Sequence, residues 1–238
     1  MPAVQARLMA KWLYEMLKIW GRPTSICTQR ALWALVETGV PYVFTLASAT
    51  MGPAGHVSKG GPAFGVVDTR DYRAMNPNGT VPTIDDHGFV LWESNAIVLY
   101  LAAKYAPRQL YGDDVATLAR ASQWMAWTNE HLEPHLHTLV MELVRLPPSE
   151  RNPTEAEAAA RAILEPLAML DAHLRRQPFV AGSTFTIGDI TLGCSVHRWM
   201  LFITDRPRMP SIEAWHERLA SRPGFKLHVA PPEFHTSG

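Results

Sequence analysis

The sequence predicts an α+β domain followed by an all-α, helical-bundle domain. A strand, a helix and a second strand fit within residues 17–46, which implies a parallel pair joined by a crossover. Two short strands and a helix follow between residues 83 and 105. After Tyr111-Gly112-Asp113-Asp114 strand signals vanish and helical periodicity runs to the end.

The first strand is Leu17-Lys18-Ile19-Trp20, ended by Gly21-Arg22-Pro23. Residues 27–38 carry Ala31, Leu32, Leu35 and Val36 at helical spacing, and Gly39 closes that helix. Residues 41–46 read as the second strand. From 47 to 65 the chain is rich in Gly, Ser, Ala and Pro without periodicity, a long loop for a compact domain. Residues 69–75 read as a short helix, and Asn76-Pro77-Asn78-Gly79 as a turn. Strands at 83–84 and 89–91 are joined by Asp85-Asp86-His87-Gly88, a hairpin signal. A helix over 94–105 is stopped by Pro107.

The domain boundary falls between residues 107 and 114. One helix is expected over 115–143, bent near Pro134, and a second over 154–176 after the break at Pro147-Pro148-Ser149. Thr186 and Asp189 have capping-box spacing before a strongly apolar run, the expected buried centre of the second domain. A last helix over 210–221 is closed by Arg222-Pro223-Gly224. Residues 1–15, with Leu8, Met9, Trp12 and Leu13 on one side, read as an N-terminal extension outside the fold. The organisation is therefore 1–15 extension, 16–106 first domain and 113–238 helical domain.

Composition narrows the function. The 238 residues are 47% hydrophobic and balance 22 basic against 22 acidic side chains, which gives no support for nucleic-acid binding. Cys27 and Cys194 form no CxxC or metal pattern, which fits free thiols in a reducing, cytoplasmic compartment. No apolar run approaches the roughly 20 residues of a membrane span. His131 and His135 have i, i+4 ligand spacing, but no carboxylate motif completes it, and no metal is expected.

The most informative stretch is Asn78-Gly79-Thr80-Val81-Pro82-Thr83-Ile84, with Trp92-Glu93-Ser94-Asn95-Ala96-Ile97 after it. A proline at a strand's mouth removes a ladder donor and marks an edge or binding surface. A cis bond at Val81–Pro82 would turn both backbone groups of Val81 outward, ready for an extended peptide. Ser94 at a helix N-terminus favours a carboxylate. A peptide-like anion suits this pair.

These residues resemble cytosolic glutathione S-transferases, especially bacterial members of the theta/phi/nu-like set, and the likeness runs from residue 17 to 229. The Asn78–Ile84 and Trp92–Ile97 motifs carry it, supported by Phe185-Thr186-Ile187-Gly188-Asp189-Ile190. The resemblance implies a thioredoxin-like N-terminal domain, a helical C-terminal domain, a homodimer, and glutathione as co-substrate. It implies that Val81, before a cis Pro82, pairs with the cysteinyl part, and that Glu93 and Ser94 hold the γ-glutamyl end. It aligns Ser25 with the hydroxyl that holds the glutathione sulfur, and Arg30 with a basic residue five positions on. The implied activity is thiolate attack on a hydrophobic electrophile, a detoxification chemistry. Disulfide or peroxide reduction, or binding without catalysis, are the alternatives.

A free thiol near pKa ~8.5 is mostly protonated at neutral pH, so a hydroxyl donor and a helix N-terminus that favour the anion are the chemistry required. Ser25, just before its helix, can offer both, or can be a plain N-cap. Thr24 is a rival hydroxyl. Cys27 is a rival nucleophile near the helix start, or a small apolar residue on the buried face. Trp124, Trp127, His131 and Trp199 are expected as a hydrophobic substrate wall or as core. His56 and Lys59, in the long loop, are candidates for the glycyl end that no motif aligns.

Overall fold

The computed structural model describes residues 16–48, 65–112 and 114–230. The expected extension at 1–15, and His56 and Lys59 in the long loop, lie outside the described residues. The first half builds a four-stranded sheet of β1 (Leu17–Gly21), β2 (Tyr42–Leu46), β3 (Thr83–Asp86) and β4 (Phe89–Trp92). The order is β2-β1-β3-β4, with β1 and β2 parallel and the β1–β3 and β3–β4 pairs antiparallel. Helix α1 (Ile26–Thr38) is the crossover, capped by Ser25 and ended by Gly39 at φ 68°. Helices α2 (Arg70–Met75) and α3 (Ser94–Tyr105) complete this half. Burial alternates along β1, where Leu17 and Ile19 are in the core and join Leu32, Leu35, Ile97 and Leu101 from α1 and α3. A mixed sheet with helices, followed by helices alone, is the predicted fold class.

Every element described from Val115 onward is helical. Here the structure corrects three expectations. The helix expected over 115–143 is α4 (Val115–His131) and α5 (Glu133–Val140), with a π-helical turn over Met141–Arg145. The helix expected over 154–176 is α6 (Pro153–Ala162) and α7 (Leu164–Leu174). Both breaks have one cause. Pro134 and Pro166 lack the N–H that would reach Glu130 and Ala162, and their rings crowd those carbonyls. The helices end and restart at Leu132 and Ile163, so His131 closes α4 and His135 belongs to α5.

Helix α8 (Ile187–Phe202) is the buried centre, twelve of its residues being buried, with the Thr186–Asp189 capping box in place. Helix α9 (Pro210–Ala220) follows as expected. The third correction is α10 (Pro223–His228), where the sequence reading has a closing turn. Pro223 starts that helix, and Gly224 lies so near Trp33 that a Cβ there would be 2.3 Å from its ring. Only a glycine lets α10 seat on α1.

The two halves are fastened by polar contacts through buried ground. The Arg30 guanidinium, 2% exposed, donates to Glu133, to Ser195 Oγ at 2.9 Å and to Asn129 Oδ1 at 3.4 Å. Arg198 donates to the Thr24 carbonyl and Gln29 Oε1, both at 3.0 Å. Thr191 donates to Asn95 Oδ1 at 2.9 Å. Arg30, aligned in the sequence as a basic residue after Ser25, is thus a fastening between the halves.

Candidate active site

A cavity of about 480 Å³ opens where the end of β1, the segment entering β3 and the starts of α1 and α3 meet His137 of α5 and Arg145 of the π-helical turn. The first wall comes from the turn after β1. Gly21 is obligatory there, because a Cβ would lie 2.4 Å from Thr28 Cγ2. The turn is tied by Ser25 N–H to the Arg22 carbonyl at 2.9 Å and by Arg22 N–H to Thr28 Oγ1 at 3.2 Å. Ser25 ends up on the cavity wall at the N-terminus of α1, its hydroxyl accepting from Thr28 N–H at 3.5 Å. Cys27 lines the same wall and is half-buried, so it is not a core residue of the helix's buried face. Thr24 does not line the cavity, and its Oγ1 is buried elsewhere.

The second wall is the Gly79–Pro82 segment. The Val81–Pro82 bond is cis. The segment is pinned from behind: the Thr80 carbonyl accepts from Tyr72 Oη at 2.7 Å and from Asn76 Nδ2 at 3.0 Å. Those two side chains also reach Thr83 Oγ1, at 2.9 and 3.1 Å. Val81 N–H and C=O make no hydrogen bond among the described residues, so the edge is open.

The third wall is the start of α3. Ser94 is its first residue, 6% exposed, and Glu93 before it has φ 71° and ψ 113°. A glutamate in left-handed backbone is strained by about 1–3 kcal/mol, and it persists where the surroundings dictate it. The strain places the Glu93 side chain and the first free N–H groups of α3 together on the cavity.

The floor is cationic. Arg22, 9% exposed, donates to Ser48 Oγ at 3.3 Å, while its Nε has no partner. Burial, then repulsion from Arg145 and Arg198, brings its pKa down to about 10. Arg145 and His137 reach the cavity from the helical half. Burial also lowers the pKa of Arg145. Neither Arg22 nor Arg145 has a carboxylate within ion-pair distance among the described residues.

The sequence-predicted Ser25, Cys27, Val81, Pro82, Glu93 and Ser94 are therefore brought together, and the expected wall of aromatics is not. Trp124 and Trp127 line a separate cavity of about 250 Å³ with His173 and Met169. His131 packs on Trp127 at 5.4 Å between ring centroids, and Trp199 is 1% exposed in the core. Sequence reasoning misses Arg22, Ser48, His137 and Arg145. Arg22 reads as part of a strand-ending turn, and Arg145 as a residue near a proline break. An arginine at the carboxyl end of a strand, just before a helix start, is the signal that could have found the first of them. Among the described residues no three His, Cys, Asp or Glu side chains gather to hold a metal, and no helix is long and apolar enough to cross a membrane.

Comparison with known proteins places this arrangement. The profile described as "Glutathione S-transferase, N-terminal domain" matches residues 24–104, and "Glutathione S-transferase, C-terminal domain" matches 153–218. Glutathione S-transferase GstB of Escherichia coli K12 is 35% identical over 220 residues, 91% of this chain and 99% of that protein. The chain belongs to the glutathione S-transferase family. Glutathione S-transferase 3 of Zea mays is 30% identical over 90% of this chain and 93% of that protein. A theta class glutathione S-transferase from Xanthomonas axonopodis pv. citri, solved with glutathione bound, superposes with a TM-score of 0.81. It is 40% identical, over 91% of this chain and 98% of the other. The transferase fold, a thioredoxin-like first domain followed by a helical one, is thus shared along nearly the whole chain.

Proposed function

We propose that the chain is a glutathione transferase in which the Gly79–Pro82 edge, the start of α3 and Ser25 form one tripeptide site. The observation that carries the reading is the open Val81 edge lying on the same cavity as Ser25, Glu93 and Ser94. Val81 N–H and C=O suit the cysteinyl unit of glutathione, as one strand pairs with another. The N–H groups of α3 at Ser94 suit the γ-glutamyl carboxylate, and Glu93 its ammonium. Relatives whose names are glutathione S-transferases, one solved with glutathione, support the same ligand.

Ser25 is the residue that acts on the sulfur. Its hydroxyl donates to the thiolate, and the α1 N-terminus adds its dipole, so the anion is favoured over the thiol. The thiol proton leaves to solvent, and no general base is required. The thiolate then attacks an electrophilic carbon and a leaving group departs with its electron pair. Ser25→Ala is expected to raise the bound thiol's pKa by roughly one to two units. At pH 6.5 the thiolate fraction and kcat/KM would then fall roughly ten- to hundredfold. Thiolate absorbance read against pH with glutathione bound would show it. An unshifted titration would remove Ser25 from the role.

We further infer a homodimer working in a reducing compartment, supported by the family's membership and by the free thiols Cys27 and Cys194. Light scattering that returned the mass of one chain at micromolar concentration would overturn the dimer.

A further inference from the structure

We propose that the electrophile this site takes carries a carboxylate, held by Arg145 on the cavity that Ser25 lines. The inference rests on the glutathione-transferase reading above and names its second substrate class.

The observation is a charge imbalance in a confined space. Two guanidinium groups line the cavity, and Glu93 is the one carboxylate on its wall among the described residues. Glu93 belongs to the α3 start, at the end proposed for the γ-glutamyl group. Arg22 is nine-tenths buried, with Nε unpartnered, and a buried cation without a counter-ion is costly unless something anionic answers it. Arg145 stands at the end of the π-helical turn, half-buried, with no carboxylate partner among the described residues. Arg22 and Arg145 are close enough that each guanidinium feels the Cys27 thiol, two residues from Ser25, and that Arg145 repels Arg22. Both guanidinium groups therefore line the same cavity as Ser25 and Cys27.

The tripeptide brings two carboxylates and a thiolate. The γ-glutamyl carboxylate is answered at Ser94, and Arg22, tied to Ser48, can serve the thiolate or the glycyl end. Arg145 is different. It reaches the cavity from the helical half, whereas Ser25, Val81 and Ser94 reach it from the sheet half. The helical half thus brings to the Ser25 cavity a planar, permanently charged fork suited to a carboxylate. His137 flanks it on α5. The aromatic side chains that would make an apolar wall are elsewhere.

Iodoacetate and iodoacetamide test this, because they differ only in charge at the far end. With each, Ser25 stabilises the thiolate, the S–C bond forms, the C–I bond breaks, and iodide leaves with the electron pair. Rates are expressed relative to the uncatalysed reaction with glutathione, since the two reagents differ in intrinsic reactivity. The enzyme's acceleration should be larger for the acid. In Arg145→Ala the acid-to-amide ratio of kcat/KM should fall roughly ten- to hundredfold, and Arg145→Lys should recover part of it. Calorimetry with glutathione alone, run on the same variants, should give a Kd within about twofold of the parent.

A ratio that does not move overturns the proposal. So does a glutathione Kd that weakens in step with the acid's kcat/KM, because Arg145 would then be holding the tripeptide's own carboxylate. If the parent chain bound no glutathione, the transferase reading itself would fail, and the two failures are told apart by that one titration. Arg145 is half-buried at the end of the π-helical turn, and a thermal melt of each variant separates lost binding from lost folding.

Discussion

Ser25 holds two roles that differ in size. As the cap of α1 it accepts from Thr28 N–H at 3.5 Å, the outer limit of a hydrogen bond, so the capping contribution is about 0.5 kcal/mol, the low end for such a residue. Its proposed donation to a thiolate, in a wall only 7% exposed, matters more, because a charge-assisted hydrogen bond gains strength away from water. Ser25→Ala should therefore leave the unfolding midpoint almost in place while depressing thiolate formation. Comparable losses in both would mean that the residue is only a cap. The two cysteines divide in the same way. Cys194 is enclosed in α8, where burial pushes its thiol up to about 12, and it is inert. Cys27 is the thiol that meets the cavity.

Elements are legible in the sequence wherever a local rule dictates them. The Thr186–Asp189 spacing locates the start of α8 because a capping box needs only four residues to form. The Val81–Pro82 and Glu93–Ser94 motifs likewise locate two site walls, each contained within a few consecutive residues. What escapes the sequence is set by distant partners. The breaks at Leu132 and Ile163 are blurred because the apolar period continues across them, and α10 is hidden because it stands on the contact of Gly224 with Trp33. Arg145 is silent because its meaning depends on a cavity wall from the other half of the chain. Asp189 shows how much a local motif can carry. Buried completely, it accepts from Val180 N–H at 3.0 Å, Thr186 N–H at 2.8 Å and Trp215 Nε1 at 2.9 Å. Asp189→Ala would strand those donors away from water, at about 1–3 kcal/mol each. A loss of roughly 3 kcal/mol or more in urea unfolding is expected. A loss below about 1 kcal/mol would mean that water replaces the carboxylate.

At the scale of the whole molecule, α10 meets the sheet through His228 and packs, within the helical half, against the His197–His216 pair. His228 meets Tyr42 Oη of β2 at 2.9 Å, and burial brings its pKa down to about 4. His216 of α9 is brought down to about 4 by burial and then by Arg206. Its Nε2 faces His197 Nδ1 at 3.0 Å, with both rings packed on Phe225. That contact needs one donor and one acceptor, and protonating both rings would set two donors against each other. In the unfolded chain each histidine titrates near 6.5, above its folded value. Between pH 4 and 6.5 the unfolded state therefore binds more protons, so stability is complete above about 6.5 and is lost as the pH falls toward 4. Carboxylates titrate lower, so the upper half of that window reports the histidines. The urea midpoint should fall steadily from about pH 7 to about 5, with up to two protons taken up on unfolding. In His228→Gln, which keeps a partner for Tyr42, the slope should fall by about one proton. A midpoint flat across that range would mean that these rings accept protons in place. Acid would then not loosen the molecule through the His228–Tyr42 and His197–His216 contacts.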